Sequence, residues 1–326
     1  MLKAHRLMTA LAACCALSFG VAACGDDEEP GGGGGGSAQQ EEQNLSGSIA
    51  IDGSSTVQPF AEAAAELFQE EQPDVRVTVG GAGTGDGFER FCSGETQISD
   101  ASRPIEDDER EACGTGNVDF SEVQVANDGI AVITNPATEI ECFTTQQLKS
   151  LLRPKSKIKN LSDLGGSFPD QEATFFTPGE ESGTFDFFTE FVLETDAEQR
   201  TENVQTSAND NQILTGIEGT EGAIGYAGFS FAEEAGDKVR IAQVDDGDGC
   251  VAPSAETIQD GSYKPLSRPI FMYPNLTELK KPAVKAFMDF VLENHQKISE
   301  AAKIVPMTEE QATKSTQGLS QPNTGS

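Results

Sequence analysis

The sequence predicts an α/β fold built as two lobes. Short alternating apolar stretches at 48–52 and 75–79 are typical of strands. Apolar residues between these strands recur at helical spacing, namely Phe60, Ala64, Leu67 and Phe68. The folded part therefore begins as strand, helix, strand. Turn-forming residues beside later strands, at 134–136 and 264–267, indicate two crossings between the lobes.

The remaining elements follow from the same two periodicities. Pairs of apolar residues predict further strands at 123–125, 130–134, 173–177, 222–227, 239–244 and 269–273. Helical patterns occur at 144–152, 184–194, 209–217 and 281–302.

The two crossings define the predicted lobes. Residues 136–265 form an inserted lobe, and residues 45–135 together with 266–320 form the other. The chain from Thr313 onward is expected to be loose, and 321–326 are placed outside both lobes. No internal repeat is apparent.

The chain begins with the three parts of a secretory signal peptide, assigned to residues 1–23. Lys3 and Arg6 precede an apolar stretch, which leads into a small-residue run ending in Cys24. That run resembles a bacterial lipobox, whose cysteine is lipidated. The apolar stretch is shorter than the ~20 residues of a membrane-spanning helix.

Residues 24–44, with six consecutive glycines, are predicted to be a flexible tether. We therefore expect an exported protein, lipid-anchored on the outer face of the cytoplasmic membrane or in the periplasm.

Four cysteines follow Cys24 and allow three pairings. We favour Cys92 with Cys113 because this pair closes a short local loop, which would contribute ~3 kcal/mol on the chain-entropy model. We favour Cys142 with Cys250 because this pair would join the ends of the inserted lobe. A zinc site is disfavoured, since Cys-x-x-Cys spacing and a nearby histidine are both missing.

Acidic residues outnumber basic ones by 54 to 22, which gives a formal net charge of -32. Removal of the leader takes away Lys3 and Arg6 and no acidic residue, so the same count becomes -34. Such a surface repels nucleic acid and anionic lipid. It does not exclude a small anion as ligand, because screening limits the reach of surface charge to ~8 Å at physiological ionic strength.

Four segments rich in hydroxyl and backbone donors are candidates for an anion site. Those at 53–56 and 80–85 follow strands and precede helices, where backbone N–H groups attract negative charge. A third, 182–184, precedes a Phe-rich helix, and the fourth, 99–104, contributes the charge of Arg103. Each has an ordinary explanation when taken singly: a helix cap, a turn, or an ion pair of Arg103 with Glu106 or Asp107. Their spread over both lobes favours a binding site.

Taken in order, these segments resemble the phosphate-binding proteins of bacterial ABC phosphate importers. The motifs are Gly-Ser-Ser-Thr-Val-Gln-Pro, Gly-Ala-Gly-Thr-Gly, Ser-Asp-Ala-Ser-Arg-Pro-Ile and Ser-Gly-Thr-Phe-Asp-Phe-Phe. The likeness continues through Asp210-Asn211, Gly225-Tyr226 and 250–254, over nearly all of residues 48–310. It implies a type II periplasmic-binding-protein fold whose lobes close on phosphate and deliver it to a membrane permease. No cofactor, metal or chemistry on the ligand is implied.

The resemblance also implies a set of ligand contacts. Carried over position by position, they are Ser55, Thr56, Thr84, Ser102, Arg103, Ser182, Gly183 and Thr184. Well-known members have an arginine four residues before the Ser-Gly-Thr serine and an aspartate two residues before the counterpart of Pro104. Here these places hold Pro178 and Ser102. We expect Arg103 to supply the missing charge and either Asp100 or Asp210 to accept the proton of hydrogen phosphate.

Other classes of function make different demands. An enzyme would use Ser182 as the nucleophile of a phosphatase or esterase, yet His295, the one histidine after the leader, is far in sequence from every serine-rich loop. An adhesion or scaffold module would not need four donor-rich loops. Within the binding-protein class, sulfate, molybdate or a phosphonate are alternative ligands.

The expected partners are phosphate, ABC permease subunits and, through Cys24, the lipid bilayer. We expect a monomer that does not bind nucleic acid.

Overall fold

The structure is a computed structural model that describes residues 45–195 and 197–322. The predicted signal peptide (1–23), the lipidation site Cys24, the tether (24–44) and the tail residues 323–326 lie outside the described residues. Those predictions therefore stay predictions.

Strands and helices alternate through the described residues, as the α/β prediction requires. The strands are β1 (Gly47–Gly53), β2 (Val75–Val79), β3 (Ile98–Ala101), β4 (Val123–Thr134), β5 (Cys142–Thr144), β6 (Thr174–Thr177), β7 (Val204–Thr206), β8 (Ala223–Gly228), β9 (Arg240–Asp245), β10 (Cys250–Val251) and β11 (Ser267–Pro274). The α-helices are α1 (Gln58–Glu71), α2 (Thr84–Cys92), α3 (Asp107–Thr115), α4 (Thr145–Leu152), α5 (Gly183–Phe188), α6 (Asp210–Glu218), α7 (Phe229–Ala235), α8 (Ala255–Gln259), α9 (Pro282–Glu293), α10 (His295–Ala302) and α11 (Glu309–Gly318). Within the described part of the chain, no helix is both long and apolar enough to span a bilayer.

One long strand, β4, takes part in two sheets. It pairs antiparallel with β11 as far as Gly129 and with β8 from Ile130 onward. The hydrogen-bonded order is β2-β1-β3-β11-β4-β8-β6-β7, with β9 beside the second half of β4. The two strands predicted at 123–125 and 130–134 are thus one strand. The sequence prediction divided the strand because Asn127 and Asp128 are polar and interrupt the apolar pattern. In the structure both residues pair with β11 through their backbone, so the strand continues through them.

The strands of the first sheet bring three loops together. β1 runs parallel to both β2 and β3, so their carboxyl ends lie at the same edge. Helix α1 covers this sheet with its buried face, which consists of Phe60, Ala61, Ala64 and Phe68. The loops that start at Ser54, Gly80 and Ser102 therefore emerge side by side.

The hydrophobic core is divided in the same way as the sheets. The buried cluster under α1 and α9 draws on residues 49–126 and 270–319. The cluster around Phe175, Phe188 and Tyr226 draws on residues 130–266 and on Val305. This is the predicted two-lobed type II fold. The predicted lobe boundaries, at 135/136 and 265/266, stay a prediction.

Two predicted helices differ from the observed ones. The helix predicted at 281–302 is interrupted at Asn294, whose backbone (φ -110, ψ 16) ends α9 and begins α10. The helix predicted at 184–194 consists of α5 followed by a π-helical turn, Thr189–Leu193.

The expectation of a loose chain from Thr313 is wrong for its first part. Helix α11 continues to Gly318, and a capping box between Thr308 and Gln311 starts it. Leu319 is buried, and its carbonyl accepts a hydrogen bond of 2.7 Å from Ser121 Oγ. Packing and this bond hold a segment whose composition alone is typical of a loop.

Each disulfide links two elements of one lobe. Cys92–Cys113 connects α2 to α3. Cys142–Cys250 connects β5 to β10, both of which pair with β9. These are the pairs that the sequence favoured.

Candidate functional site

Three loops meet at the carboxyl edge of β1, β2 and β3. Ser54 N donates to Asp100 O at 3.0 Å and ties the first loop to β3. Gly53 allows this approach, because its φ is +155 and a Cβ would lie 2.0 Å from Asp100 O. The hydroxyls of Thr84 and Ser102, from the other two loops, lie 3.2 Å apart. The edge is therefore lined with hydrogen-bond donors.

The start of α2 adds backbone donors to this edge. Its N-cap is Gly83, which has no side chain to bond the N–H groups of the first turn. Such N–H groups, at the positive end of a helix, suit an anion.

The second lobe reaches the same place through the turn before α5. Thr56 Oγ1 donates to Gly183 O at 3.1 Å, and Ser55 Oγ donates to Asp186 Oδ2 at 2.8 Å. A Cβ on Gly183 would lie 2.4 Å from Thr56 N, so only glycine fits this contact. Ser182 serves as the N-cap, and its hydroxyl accepts from Thr184 N at 3.3 Å.

A cavity of about 390 Å³ opens beside this contact and is lined by both lobes. The first lobe contributes Ser54, Ser55, Thr56, Gly83, Thr84, Gly85, Ser102, Arg103 and Arg268. The second contributes Asp186, Phe187, Thr189, Glu190, Phe191, Thr195 and Ala197. We call this the ligand cavity. It contains five of the sequence-predicted residues, namely Ser55, Thr56, Thr84, Ser102 and Arg103.

The other predicted residues lie elsewhere. A second cavity of about 380 Å³ shares Ser55 and Thr56 with the ligand cavity. It is lined by the remaining Ser-Gly-Thr residues and one candidate acceptor: Ser182, Gly183, Thr184 and Asp210. Asp100 lines neither cavity. The structure thus divides the predicted set between two adjoining spaces.

Arg268 is a buried cation of the ligand cavity that sequence reasoning missed. Its Nη2 donates to Thr56 Oγ1 at 2.7 Å, and its guanidinium carbon lies 3.6 Å from the Phe187 ring centroid. Its Nε lies 3.7 Å from Asp128 Oδ2 and has no hydrogen-bond partner among the described residues. Burial lowers the pKa of Arg268 to about 10, so the side chain stays charged at neutral pH.

Arg103 lies at the rim, and most of its donors are engaged. Its Nη1 and Nη2 donate to the two carboxylate oxygens of Glu109 at 2.8 Å each, and Nη1 also donates to Pro104 O. Its Nε lies 3.2 Å from Glu106 Oε1. These contacts use all but one of the guanidinium N–H groups. Arg103 therefore has the ion-pair role that the sequence analysis gave as its ordinary explanation, with Glu106 and Glu109 as its partners.

A sequence signal for Arg268 did exist. The tetrapeptide Ser-Arg-Pro-Ile occurs twice, at 102–105 and at 267–270. The second copy overlaps a predicted crossing and a predicted strand. Both arginines of this short repeat line the ligand cavity.

The cavity is polar but not uniformly positive. Asp186 and Glu190 line it opposite the arginines, while Glu180 and Glu181, which flank the Ser-Gly-Thr turn, are exposed to solvent. An anion here would be held by the arginines and neutral donors, next to carboxylates able to accept a proton.

Both predicted acceptor carboxylates have raised pKa values. Burial, with a smaller effect of Asp52, raises the pKa of Asp100 well above its ordinary value. Its two oxygens lack hydrogen-bond partners within the described residues. Burial raises the pKa of Asp210 to about 6, against a hydrogen bond from Gly228 N–H that lowers it.

Features of a hydrolytic or metal site are not found in the described residues. His295 is buried on α10, lines neither cavity, and burial lowers its pKa. Within 45–195 and 197–322, no group of three or more His, Cys, Asp or Glu residues could hold a metal ion.

Comparison with known proteins places the chain among binding proteins. A family model described as a PBP superfamily domain matches residues 38–295. Protein SphX of Synechococcus elongatus is 36% identical over 280 residues, which cover 85% of this chain and 82% of that protein. Phosphate-binding protein PstS of Staphylococcus saprophyticus is 37% identical over 270 residues, 82% of either chain.

Solved structures give the same result. A crystal structure described as a possible phosphate binding protein from Planctomyces limnophilus is 37% identical, with a TM-score of 0.79 over 84% of this chain and 98% of that one. One described as a phosphate ABC transporter substrate-binding protein with bound phosphate, from Clostridium perfringens, is 33% identical, with a TM-score of 0.57 over 80% and 100%. The chain therefore belongs to the PBP superfamily, in the family that contains these PstS and SphX proteins.

Proposed function

We propose that this protein binds inorganic phosphate between its lobes and delivers it to an ABC permease, without chemistry on the ligand. The observation that carries the proposal is the ligand cavity, which is lined by the buried Arg268 and by hydroxyl-bearing residues of the first lobe, and which is closed on its other side by residues of the second lobe. The names of the PstS relative and of the phosphate-bound Clostridium perfringens structure support the same ligand.

The proposed contacts are those implied by the resemblance, with one addition. Arg268 supplies the buried charge, and Arg103 contributes its remaining N–H from the rim. Ser55, Thr56, Thr84 and Ser102 contribute hydroxyls from the first lobe. Ser182, Gly183 and Thr184, which line the adjoining cavity in this structure, are the contacts that the resemblance implies from the second lobe.

The energetics of such a site are adequate for tight binding. Charge-assisted hydrogen bonds contribute ~1.5–3 kcal/mol each, so several of them can offset desolvation and still reach the ~8 kcal/mol of micromolar affinity. The acidic surface has little effect on phosphate affinity, because surface charges more than ~8 Å from the ligand are screened.

A carboxylate that accepts the ligand proton would give selectivity for phosphate. Hydrogen phosphate can donate to it, whereas sulfate would leave two acceptors facing each other, a mismatch that can discriminate by ~10⁴. Asp100 and Asp210 remain our sequence-based candidates, and Asp186 joins them because it lines the ligand cavity.

The setting of the protein is part of the proposal. Cys24 would be lipidated and, with the tether at 24–44, would hold the folded lobes at the outer face of the cytoplasmic membrane or in the periplasm. Phosphate, permease subunits and the bilayer are then the partners of a monomeric receptor.

Calorimetry tests the ligand directly. Residues 37–326, freed of carried-over ligand by reversible unfolding, are titrated with phosphate and then with sulfate. We expect one-to-one phosphate binding and no sulfate heat, with sulfate binding gained in Asp100→Asn, Asp210→Asn or Asp186→Asn if that residue is the acceptor. Absence of phosphate binding would contradict the proposal and direct the search to sulfate, molybdate or a phosphonate.

A phosphatase or esterase is the rival from another class. Its nucleophile would be Ser182, whose hydroxyl instead caps α5. Turnover of a phosphate ester that disappears in Ser182→Ala would establish this rival and overturn the receptor.

A further inference from the structure

Helix α3 buries one of its nine residues. Its sequence, Asp-Asp-Glu-Arg-Glu-Ala-Cys-Gly-Thr, is almost entirely polar, and Cys113 is its one buried residue. Arg110 adds a partly exposed contact above the Phe120 ring, at 5.7 Å from the centroid. A helix of nine residues is marginal in water without tertiary contacts.

The disulfide is the buried covalent link between α3 and the core. Cys113 is bonded to Cys92 at the end of α2, and both cysteines lie in a buried cluster with Phe88, Phe91 and Tyr273. Cys92 Sγ also lies 3.5 Å from Glu109 O, which brings the first turn of α3 against the same bond.

Helix α3 in turn holds an arginine of the ligand cavity. Glu109 lies one turn before Cys113 and receives two hydrogen bonds of 2.8 Å from Arg103. It also accepts from Glu106 N at 2.9 Å, so it fixes the turn that leads from Arg103 into α3. Arg103 is a long and partly exposed side chain, which without Glu109 would sample many rotamers.

We infer that the Cys92–Cys113 disulfide positions Arg103 for ligand binding, acting through α3 and Glu109. Without this bond, α3 loses its buried covalent anchor, Glu109 leaves Arg103, and the cavity loses an ordered cation at its rim. Ligand affinity therefore depends on the presence of the bond. The inference rests on the proposed function, since phosphate is the ligand whose affinity is measured.

The second disulfide supplies a matched control. Cys142–Cys250 links strands β5 and β10, and no residue that lines the ligand cavity lies in β5, β9 or β10. Removing it changes the covalent structure of the second lobe but leaves the hydrogen bonds between Arg103 and Glu109 of α3 unchanged.

The test compares the wild type with Cys92→Ser/Cys113→Ser and with Cys142→Ser/Cys250→Ser. Hydrogen–deuterium exchange is followed in α3, and the phosphate Kd is measured by calorimetry well below each unfolding temperature. In the first variant we expect at least ~10-fold faster exchange in α3 and about 10-fold weaker phosphate binding. In the second variant we expect unchanged exchange in α3 and a Kd within about twofold of the wild type.

A double-mutant cycle separates positioning from general stability. In an Arg103→Ala background, removal of Cys92–Cys113 should cause no further loss of phosphate affinity, because the group that it positions is gone. A further loss in that background would overturn the inference. So would an unchanged Kd or unchanged α3 exchange in Cys92→Ser/Cys113→Ser, or failure of this variant to fold, since the bond would then hold the lobe rather than α3. A wild type that does not bind phosphate would instead overturn the proposed function.

Discussion

Arg268 shows how a charge can be kept in a buried place. Taking a guanidinium out of water is destabilising unless partners replace the lost hydration. Here Asp128 lies on the neighbouring strand in direct register, Thr56 accepts one hydrogen bond, and Phe187 presents its ring face. Its Nε is buried and lies 3.7 Å from Asp128 Oδ2, an ion pair without a hydrogen bond.

Replacing Arg268 by lysine tests this role. An ammonium keeps the charge but cannot stack on Phe187 or present a planar fork, so phosphate binding should weaken by about 30-fold, or about 2 kcal/mol. The measurement is the phosphate Kd by calorimetry. Arg240→Lys, at an exposed position on β9, is the control and should leave the Kd unchanged. Equal effects of the two substitutions would contradict a direct role for Arg268.

Helix α6 illustrates a competition between two effects at one element. An acidic residue in the first turn of a helix is ordinarily stabilised by the helix dipole, and Asp210 is the first residue of α6. Burial opposes this effect and prevails, raising the pKa of Asp210 from 3.8 to about 6. The folded state therefore favours the protonated form, and the stability that this group contributes is present below pH ~4 and is lost as the pH rises through ~6.

Asp210→Asn should therefore stabilise the protein in a pH-dependent manner. At pH 7.5 the gain should be at most about 3 kcal/mol, since the shift is about two pKa units and asparagine can still accept from Gly228 N–H. At pH 4 the two proteins should have similar stability. Urea unfolding at both pH values measures this, with Asp237→Asn as an exposed control. The same difference at both pH values would mean that burial of the charge is not its cause.

At the scale of the whole molecule, the lobes are joined by strands and meet through their loops. β4 changes sheets between Gly129 and Ile130, and β11 begins at Ser267, beside that point. Across the cleft, Thr56 bonds Gly183 O and Ser55 bonds Asp186. A ligand that contacts both lobes favours the state in which these loops lie close together.

Phosphate should therefore make the protein more compact. Small-angle scattering is expected to show a smaller radius of gyration on addition of phosphate to ligand-free wild type. Gly183→Ala should reduce this change at saturating phosphate, because the new Cβ would lie 2.4 Å from Thr56 N. Gly114→Ala is the control, since nothing lies within 4 Å of its Cβ position. An unchanged wild-type profile, or full compaction of Gly183→Ala, would contradict closure through this contact.

Much of the fold could be predicted because its signals are local. Alternation over five residues is enough to predict β2, and helical spacing of apolar residues is enough to predict α1. Elements with weaker local signals were missed or given wrong limits. The polar α3 and α11 depend on a disulfide, caps and packing, none of which is written in hydrophobic periodicity.

The candidate site was predictable to the extent that it follows strand ends. Ser55, Thr56, Thr84 and Ser102 come directly after parallel strands, whose carboxyl ends share an edge. The charged residues were harder to predict. Arg268 is the second residue of β11, and its local signal is the repeat of Ser-Arg-Pro-Ile at 102–105 and 267–270, which does not by itself distinguish a buried arginine from an exposed one.

The sequence by itself determined the fold class, the donor-rich loops and the resemblance to phosphate-binding proteins, because each of these depends on neighbouring residues or on motif order. Only the tertiary structure decided which charges meet. Strand β11 inserts between β3 and β4, which brings Arg268 next to Asp128 and into one cavity with Arg103, 165 positions earlier in the sequence. Side chains so far apart are brought together by strand order and register, which local sequence patterns do not encode.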